Sequence, residues 1–153
     1  MIGSHEHLDL GLGGVSLLTL MAARHHIMLE GPKAWTDAVV LGLQPHFHPP
    51  ITRSQSGVAF HLSGGNVGAL ILQDVDRLSV AEQTRVLAWM GGASRHTKIV
   101  STTELPLFPF VARGLFDASL YYRLNMLLLQ APPADGASSQ VCTPVQRATT
   151  VRA

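Results

Sequence analysis

Charged side chains are scarce in this sequence, and cysteine is nearly absent. Charged residues make up 14% of the 153 residues, compared with about 25% in an average soluble domain. The formal net charge is only +1, which excludes a strong overall field for nucleic acid or anionic lipid. The single cysteine, Cys142, excludes an internal disulfide and a cysteine-based zinc site. A surface this poor in charge indicates that a partner covers part of it.

Long hydrophobic runs are also missing. The longest early uncharged run, residues 10–23, is interrupted by three glycines and is shorter than the roughly 20 residues of a membrane-spanning helix. The residues before it include His5, Glu6 and Asp9, where a secretory signal has basic side chains. We therefore expect no membrane anchor and, by default, a cytoplasmic protein.

The hydrophobic content, at 46% of the residues, is nevertheless sufficient for a core, so a disordered chain is excluded. The composition changes after Gln130, where alanine, proline, serine and threonine replace the apolar runs. Too little apolar surface remains there to offset the entropy lost on ordering the chain. We predict one structured domain over residues 1–130 and a flexible polar tail over 131–153.

Short apolar runs alternate with helical patterns along the structured part. Runs bounded by turn residues predict strands, and the unbroken apolar run 68–72 is typical of a strand buried on both faces. The predicted strands are 25–29, 58–62, 68–72, 98–102 and 126–129, and the predicted helices are 34–43, 80–90 and 119–124. The proline-containing stretch 44–56 is interpreted as a loop. This alternation predicts a three-layer α/β domain with a parallel sheet between helices.

The predicted helices carry two further signals. Ser79 and Glu82 have the spacing of a capping box, in which each side chain bonds the backbone N–H of the other residue. Each of the two longer helices is predicted to place one stripe of side chains against the core. The stripes are Val80, Gln83, Leu87 and Met90 in helix 80–90, and Trp35, Ala38, Val39 and Gly42 in helix 34–43.

The order of several segments resembles a known family. Strand 68–72 is followed by Gln73 and Asp74, then by the capped helix, and later by strand 98–102. The most specific segment is LYYRLN at residues 120–125. Over about residues 2–129 the chain resembles the sigma-54 interaction (AAA+) domain of bacterial enhancer-binding transcriptional activators. The resemblance implies a three-layer P-loop NTPase-like fold, here incomplete and without the helical lid domain.

The ATP-binding loop of that family is altered in this sequence. The family pattern GxxxxGK[ST] surrounds phosphate with backbone N–H groups and a lysine. Counted from Gly31, Thr36 stands at the second glycine and Asp37 at the lysine, while Pro32 lacks a backbone donor. Lys33 is expected before the turn rather than at a helix N-terminus. The resemblance thus makes Gly31, Lys33, Thr36 and Asp37 degenerate nucleotide-site positions.

The positions that hold magnesium and activate water in the family are altered as well. The Walker B Asp and Glu are replaced by Gln73 and Asp74, and a neutral amide is a poor magnesium ligand. The sensor Asn is Glu104, and the arginine at the subunit boundary is Asp117, whereas Arg123 is kept. Because the changes concentrate on phosphate handling, we expect the family's fold without its catalytic residues.

Other parts of the family pattern are missing. The GAFTGA loop, which contacts the sigma factor in the family, does not occur between Phe47 and Gly68. No helical lid or helix-turn-helix is expected after Gln130, and without a basic stripe we expect no direct DNA binding. The two His-x-His pairs, at residues 5–7 and 46–48, are interpreted as loop histidines, and no metal site is expected.

Two hypotheses about function follow. The first is a regulatory protein without enzyme activity that docks on AAA+ activator subunits or the sigma-factor machinery, with Tyr121 and Arg123 as candidate subunit-interface residues. It needs no cofactor, since ATP and magnesium are implied by the resemblance alone. The second is a weak ATP-binding protein with residual ATPase or switch activity, using Lys33, Asp74 and Arg123. Homo-oligomerisation stays open, as does a remnant without a present role.

Overall fold

Five strands form the central sheet in the computed structural model, which describes residues 20–21, 25–57, 60–64, 67–92 and 97–133. The strands are β1 (Ile27–Glu30), β2 (Ile51–Gln55), β3 (Ala69–Gln73), β4 (Lys98–Thr103) and β5 (Leu127–Gln130). Their order in the sheet is β2-β3-β4-β1-β5, and every neighbouring pair is parallel. The predicted α/β class with a parallel sheet is confirmed.

Helices cover both faces of the sheet. They are α1 (Lys33–Leu43), α2 (Val80–Gly92), α3 (Phe108–Ala112) and α4 (Ala118–Leu124). Val40 of α1 packs in one core with Leu29, whereas Val86 of α2 and Leu124 of α4 pack in a second core with Met28. Successive side chains of a strand point to opposite faces, so Met28 and Leu29 enter different cores. This burial on both faces explains the unbroken apolar runs.

The capping box at the start of α2 is confirmed. The Ser79 N–H donates to Glu82 Oε2 at 2.8 Å, and the Glu82 N–H donates to Ser79 Oγ at 3.2 Å. The predicted core stripe of α2 is wrong at Val80, which is 75% exposed, because the fully buried side chains of this helix are Gln83 and Val86. The first turn of α2 extends beyond the core, and Leu87 and Met90 lie partly buried at its margin.

The core stripe of α1 is also shifted from the prediction. Ala38 is exposed, and Trp35 and Gly42 are only partly buried. The buried set follows the helical spacing i, i+3, i+4 and i+7 from a different start. It comprises Thr36, Val39, Val40 and Leu43. A polar residue, Thr36, occupies the first core position, and the predicted stripe did not include it.

The predicted strand 58–62 is wrong. The second strand is β2, which lies inside the stretch interpreted as a loop. β2 is an edge strand paired only with β3, so its side chains are largely polar and only Ser54 is fully buried. Phe60 and Leu62 belong to an irregular segment packed against the second core, and residues 58–59 lie outside the described part of the chain.

One helix, α3, has no counterpart in the sequence prediction. It has five residues and carries Pro109 in its first turn, where the missing N–H of proline costs nothing. α4 begins at Ala118, one residue before the prediction, with Asp117 as its N-cap. Residues 131–133 of the predicted tail follow β5 without regular secondary structure. Residues 134–153, the histidines at 5–7 and Cys142 lie outside the described residues. None of the helices described is long and apolar enough to cross a bilayer.

Candidate functional site

All five parallel strands end at one edge of the sheet, where the residues that follow β1, β3 and β4 include predicted nucleotide-site residues. β1 ends at Glu30, β3 at Gln73, β4 at Thr103 and β5 at Gln130. Ligands of parallel α/β sheets bind outside the carboxyl ends of the strands. In this structure the side chains that end β1 and β5 bond each other, since Gln130 Nε2 donates to Glu30 Oε1 at 2.9 Å.

The connection between β1 and α1 is only two residues long. It consists of Gly31 and Pro32, and α1 begins at Lys33. Thr36 and Asp37 therefore lie within the helix and not in a phosphate-binding loop. The expectation that Lys33 precedes a turn rather than standing at a helix N-terminus is wrong, because Pro32 is the N-cap and Lys33 is the first residue of α1.

Two backbone donors and one side-chain donor at this helix start have partners within the chain. The N–H groups of Trp35 and Thr36 both donate to the Pro32 carbonyl at 3.0 Å, and the Thr36 hydroxyl donates to the Lys33 carbonyl at 3.1 Å. Lys33 Nζ lies 3.6 Å from Asp37 Oδ2 across one helical turn. The lysine charge is thus partly balanced by a carboxylate of the same helix.

The chain that follows β5 crowds the turn at Gly31. A Cβ added at Gly31 would lie 2.5 Å from the Cβ of Ala131 and 3.1 Å from Cε3 of Trp35. The Gly31 N–H donates to the Thr103 carbonyl at 3.0 Å, and the Ala131 N–H donates to the Glu30 carbonyl at 2.9 Å. Glycine is required here because neighbouring atoms fill the space beside the turn, and the same atoms limit the room for a ligand.

Asp74 is turned towards β2. Its backbone is left-handed, with φ 56° and ψ 50°, and it is the only residue besides glycine with positive φ among the described residues. Asp74 Oδ2 accepts from Gln55 Nε2 at 2.9 Å, and the Asp74 N–H donates to Thr102 Oγ1 at 3.2 Å. With 9% of its surface exposed, the carboxylate serves to join the ends of β2 and β3.

The remaining altered positions are Glu104, which lies on the surface, and Asp117, which makes hydrogen bonds within the fold. Glu104 follows β4 and is exposed. Asp117 caps α4, since its Oδ1 accepts from the Leu120 N–H at 2.9 Å. The Asp117 N–H donates at 2.8 Å to Oε1 of Gln83, a buried residue on α2.

Gln83 has a role that sequence reasoning did not assign. Its Nε2 donates to the carbonyls of Leu78, at 3.1 Å, and Leu115, at 3.2 Å. With the bond from Asp117, the buried amide joins the start of α2 to the turn before α4. The signal available in the sequence was a polar residue at a core position of an amphipathic helix.

Tyr121 and Arg123 lie apart from this edge. Tyr121 is 6% exposed and packs between the rings of Phe108 and Tyr122, with centroid distances of 6.3 and 5.2 Å. Little of Tyr121 is left for a subunit interface. Arg123 is exposed and lines a cleft with Met126, where β5 begins. Lys33 and Asp74 are therefore at the opposite edge of the sheet from Arg123.

Comparison with known proteins agrees with this architecture. The family model described as the sigma-54 interaction domain matches residues 50–134, which is more than half of the chain. The chain belongs to the sigma-54 interaction domain family. The resemblance inferred from the segment LYYRLN is thereby confirmed.

The relatives of this sigma-54 interaction domain include a transcriptional regulatory protein and a probable regulatory protein of a pathogenicity locus. The HTH-type transcriptional regulatory protein TyrR of Enterobacter agglomerans is 32% identical over 144 residues, which cover 87% of this chain and 26% of TyrR. The probable regulatory protein HrpR of Pseudomonas syringae pv. syringae is 24% identical over 66% of this chain and 35% of HrpR. The chain thus spans about a quarter to a third of the length of these relatives.

Solved structures show the same fold. NtrX of Brucella abortus, solved in complex with ATP, has a TM-score of 0.58 at 18% identity, over 79% of this chain and 36% of NtrX. The P-loop NTPase domain of an Escherichia coli sigma-54 activator has a TM-score of 0.50 at 15% identity, over 77% of this chain and 90% of that domain. The P-loop NTPase-like fold is therefore shown for this sigma-54 interaction domain.

The connection between β2 and β3, where the family pattern places the sigma-contacting loop, is fixed to α2 in this sigma-54 interaction domain. Trp89 Nε1 donates to the Ser63 carbonyl at 2.8 Å. The Arg85 guanidinium stacks 4.9 Å from the centroid of the Phe60 ring. The described part of this connection is thus held against the domain rather than projecting from it.

Histidines do not gather into a metal centre in the part of the chain that is described, where no group of three or more His, Cys, Asp or Glu side chains has a metal-binding arrangement. His46 and His48 are exposed at the end of α1. His26, just before β1, is different because its Nδ1 accepts from the Ile99 N–H at 3.1 Å. Burial, together with the positive charges of Lys98 and His25, lowers the pKa of His26 to about 4.

His26 is expected to make the stability of the domain depend on pH between about 6.5 and 4. Its folded-state pKa is depressed, so the unfolded chain binds more protons in this window and the stabilisation present above pH 6.5 is lost as the pH falls. At about 1.4 kcal/mol per unit, the loss is at most about 3 kcal/mol, reduced by residual solvent contact.

Urea denaturation at several pH values measures this loss. Asparagine at His26 keeps an acceptor for the Ile99 N–H without titrating, so H26N should flatten the profile. The exposed His46 provides the control, because H46N should leave the profile as it is. If the free energy of unfolding has the same slope against pH in the original chain and in H26N, His26 is not the source of the pH dependence.

Proposed function

We propose that this chain regulates sigma-54-dependent transcription through protein contacts and does not bind ATP. The relation to transcriptional regulators rests on the family and on TyrR and HrpR. The proposed loss of ATP binding rests on the two-residue connection between β1 and α1. A phosphate-binding loop needs several consecutive backbone N–H groups around the anion, and two residues, one of them proline, supply too few.

The electrostatics of the same edge support the absence of nucleotide binding. Phosphate would meet the Asp37 carboxylate, whose negative charge lies 3.6 Å from the charge of Lys33. At the magnesium position, Gln73 offers only a neutral amide. Asp74 is engaged by Gln55. Binding ATP would require breaking these contacts before any phosphate contact forms.

The structure gives no support to the alternative of a weak ATP site built from Lys33, Asp74 and Arg123. Arg123 lies beside the start of β5, and the other two residues follow the ends of β1 and β3. A strand of four residues separates the two edges by about 13 Å. One nucleotide phosphate cannot contact all three side chains in this arrangement.

Isothermal titration with millimolar magnesium-ATP tests the nucleotide part of the proposal. We expect no saturable heat, whereas NtrX of Brucella abortus, which was solved with ATP, provides the positive control under the same conditions. A saturable signal that K33A abolishes would overturn the proposal. R113A, which changes an exposed arginine at the end of α3, distinguishes a specific loss from a general loss of positive charge.

For the protein contacts we propose an aromatic patch made of Phe108 and Tyr122. These side chains are 53% and 57% exposed and flank the buried ring of Tyr121. Tyr122 belongs to the segment LYYRLN, and Phe108 lies beside that segment. We propose that it contacts AAA+ activator subunits or the sigma-factor machinery in the cytoplasm. We propose no direct contact with DNA, since a net charge of +1 supplies no basic surface.

Light scattering of the chain mixed with a full-length sigma-54 activator from the same cell tests these contacts. We expect a complex that F108S weakens at least tenfold, because it removes an exposed apolar side chain at the proposed contact. L41S is the matched control, since Leu41 is 69% exposed on α1, on the other face of the sheet. No complex, or equal weakening by both variants, would contradict the patch.

A further inference from the structure

A second concave site lies at the edge of the sheet where β1 and β5 begin. It is a cleft of about 290 Å³, which is near the lower limit for small-molecule sites. The residues that line it are His26, Met90, Tyr122, Arg123 and Met126. It lies at the opposite edge of the sheet from Gly31 and Asp74, so ligand binding in this cleft does not depend on the proposed loss of nucleotide binding.

The charges around this cleft are positive. Arg123 lines the cleft and makes no ion pair with any residue in the described ranges, so the donors of its guanidinium are available to a ligand. Lys98 and His25 are close enough to His26 to act on its ionisation. Neither aspartate nor glutamate is among the described residues that line the cleft. The complementary ligand group is therefore an anion.

The imidazole of His26 adds a donor without adding a charge. Burial keeps its pKa far below 7, so the ring is neutral at neutral pH. Because Nδ1 accepts from the Ile99 N–H, the ring proton is on Nε2. Lys98 is not among the lining residues, which offer one guanidinium and one neutral N–H. These groups suit a monoanion better than a phosphate dianion, whose second charge would be left uncompensated in the cleft.

The other walls of the cleft are apolar. Met90 and Met126 contribute flexible thioether side chains, which adapt to ligands of different shape. The ring of Tyr122 adds a flat surface beside them. A ligand that matches both parts of the cleft has an anionic head and an apolar body.

We propose that this cleft binds a small monocarboxylate with an apolar body, with the carboxylate on the Arg123 guanidinium and the body against Met90 and Met126. Arg123 sets the requirement for the anion, and His26 contributes a hydrogen bond. The two methionines set the preference for an apolar chain.

Titration of the full chain with hexanoate, followed by amide NMR, tests the proposal. The Ile99 N–H bonds His26 Nδ1, and the Leu127 N–H bonds the His26 carbonyl at 3.1 Å, so both signals should shift and saturate. Hexanamide has the same body without the charge, and inorganic phosphate has charge without the body. Each should bind at least tenfold more weakly than hexanoate.

Variants separate the cleft from general charge effects. R123Q should weaken hexanoate binding about tenfold, as expected for the loss of one charge-assisted contact. R113Q removes an exposed arginine from α3 and should have no effect. Equal binding of hexanoate and hexanamide, equal binding of phosphate, shifts that do not saturate, or equal weakening by both variants would overturn the proposal.

Discussion

Alanine in place of Gly68 is expected to lower the free energy of unfolding by about 3 kcal/mol or more. A Cβ at this position would overlap the carbonyl oxygen of His48 and lie 2.6 Å from its carbonyl carbon and 3.0 Å from the Pro49 oxygen. These are backbone atoms, which cannot rotate away. The Gly68 N–H donates to the Pro50 carbonyl at 2.9 Å, and its carbonyl accepts from the Lys98 N–H at 3.1 Å, so the strand cannot shift without losing bonds.

Urea denaturation followed by circular dichroism measures the effect of G68A. G64A is the matched control, because a Cβ at Gly64 would meet no atom within 4 Å. The control should change stability by less than about 1 kcal/mol. If both variants unfold at the same urea concentration, the chain before β2 does not lie against Gly68 at the start of β3.

Leucine in place of Gln83 is expected to cost about 3 kcal/mol of stability. The change leaves three backbone groups without the partner that the buried amide supplies. They are the carbonyls of Leu78 and Leu115 and the N–H of Asp117. Because Gln83 is only 5% exposed, water cannot replace the amide without opening the packing between α2 and α4.

T84A is the matched control for Q83L. Thr84 is the next residue of α2, it is exposed, and its hydroxyl donates only to the Val80 carbonyl at 3.0 Å. Its replacement should cost less than about 0.5 kcal/mol. Hydrogen exchange provides a second readout, since Q83L should speed exchange of the Asp117 amide selectively. Unchanged exchange there would show that Gln83 does not hold the turn before α4.

Local chemistry in the sequence determined much of the fold. The apolar runs that became β1, β3 and β5 were visible because a strand buried on both faces favours apolar side chains throughout. β4 was visible from the shorter run Ile99–Val100, although its buried second half is polar. The capping box at Ser79 fixed the start of α2 because both partners lie three residues apart. β2 was missed since an edge strand needs no apolar run, and α3 since a five-residue helix has too few turns to show periodicity.

Only the tertiary structure decided how the altered nucleotide site is arranged. The sequence showed that Thr36 and Asp37 replace the phosphate-binding residues, but the crowding of the turn at Gly31 by Ala131 depends on the pairing of β1 with β5. The Asp74–Gln55 bond depends on the pairing of β2 with β3. Residues distant in the chain make these contacts, so the geometry of the contacts follows from the strand register. The sequence by itself determined the residue types and their order along the chain.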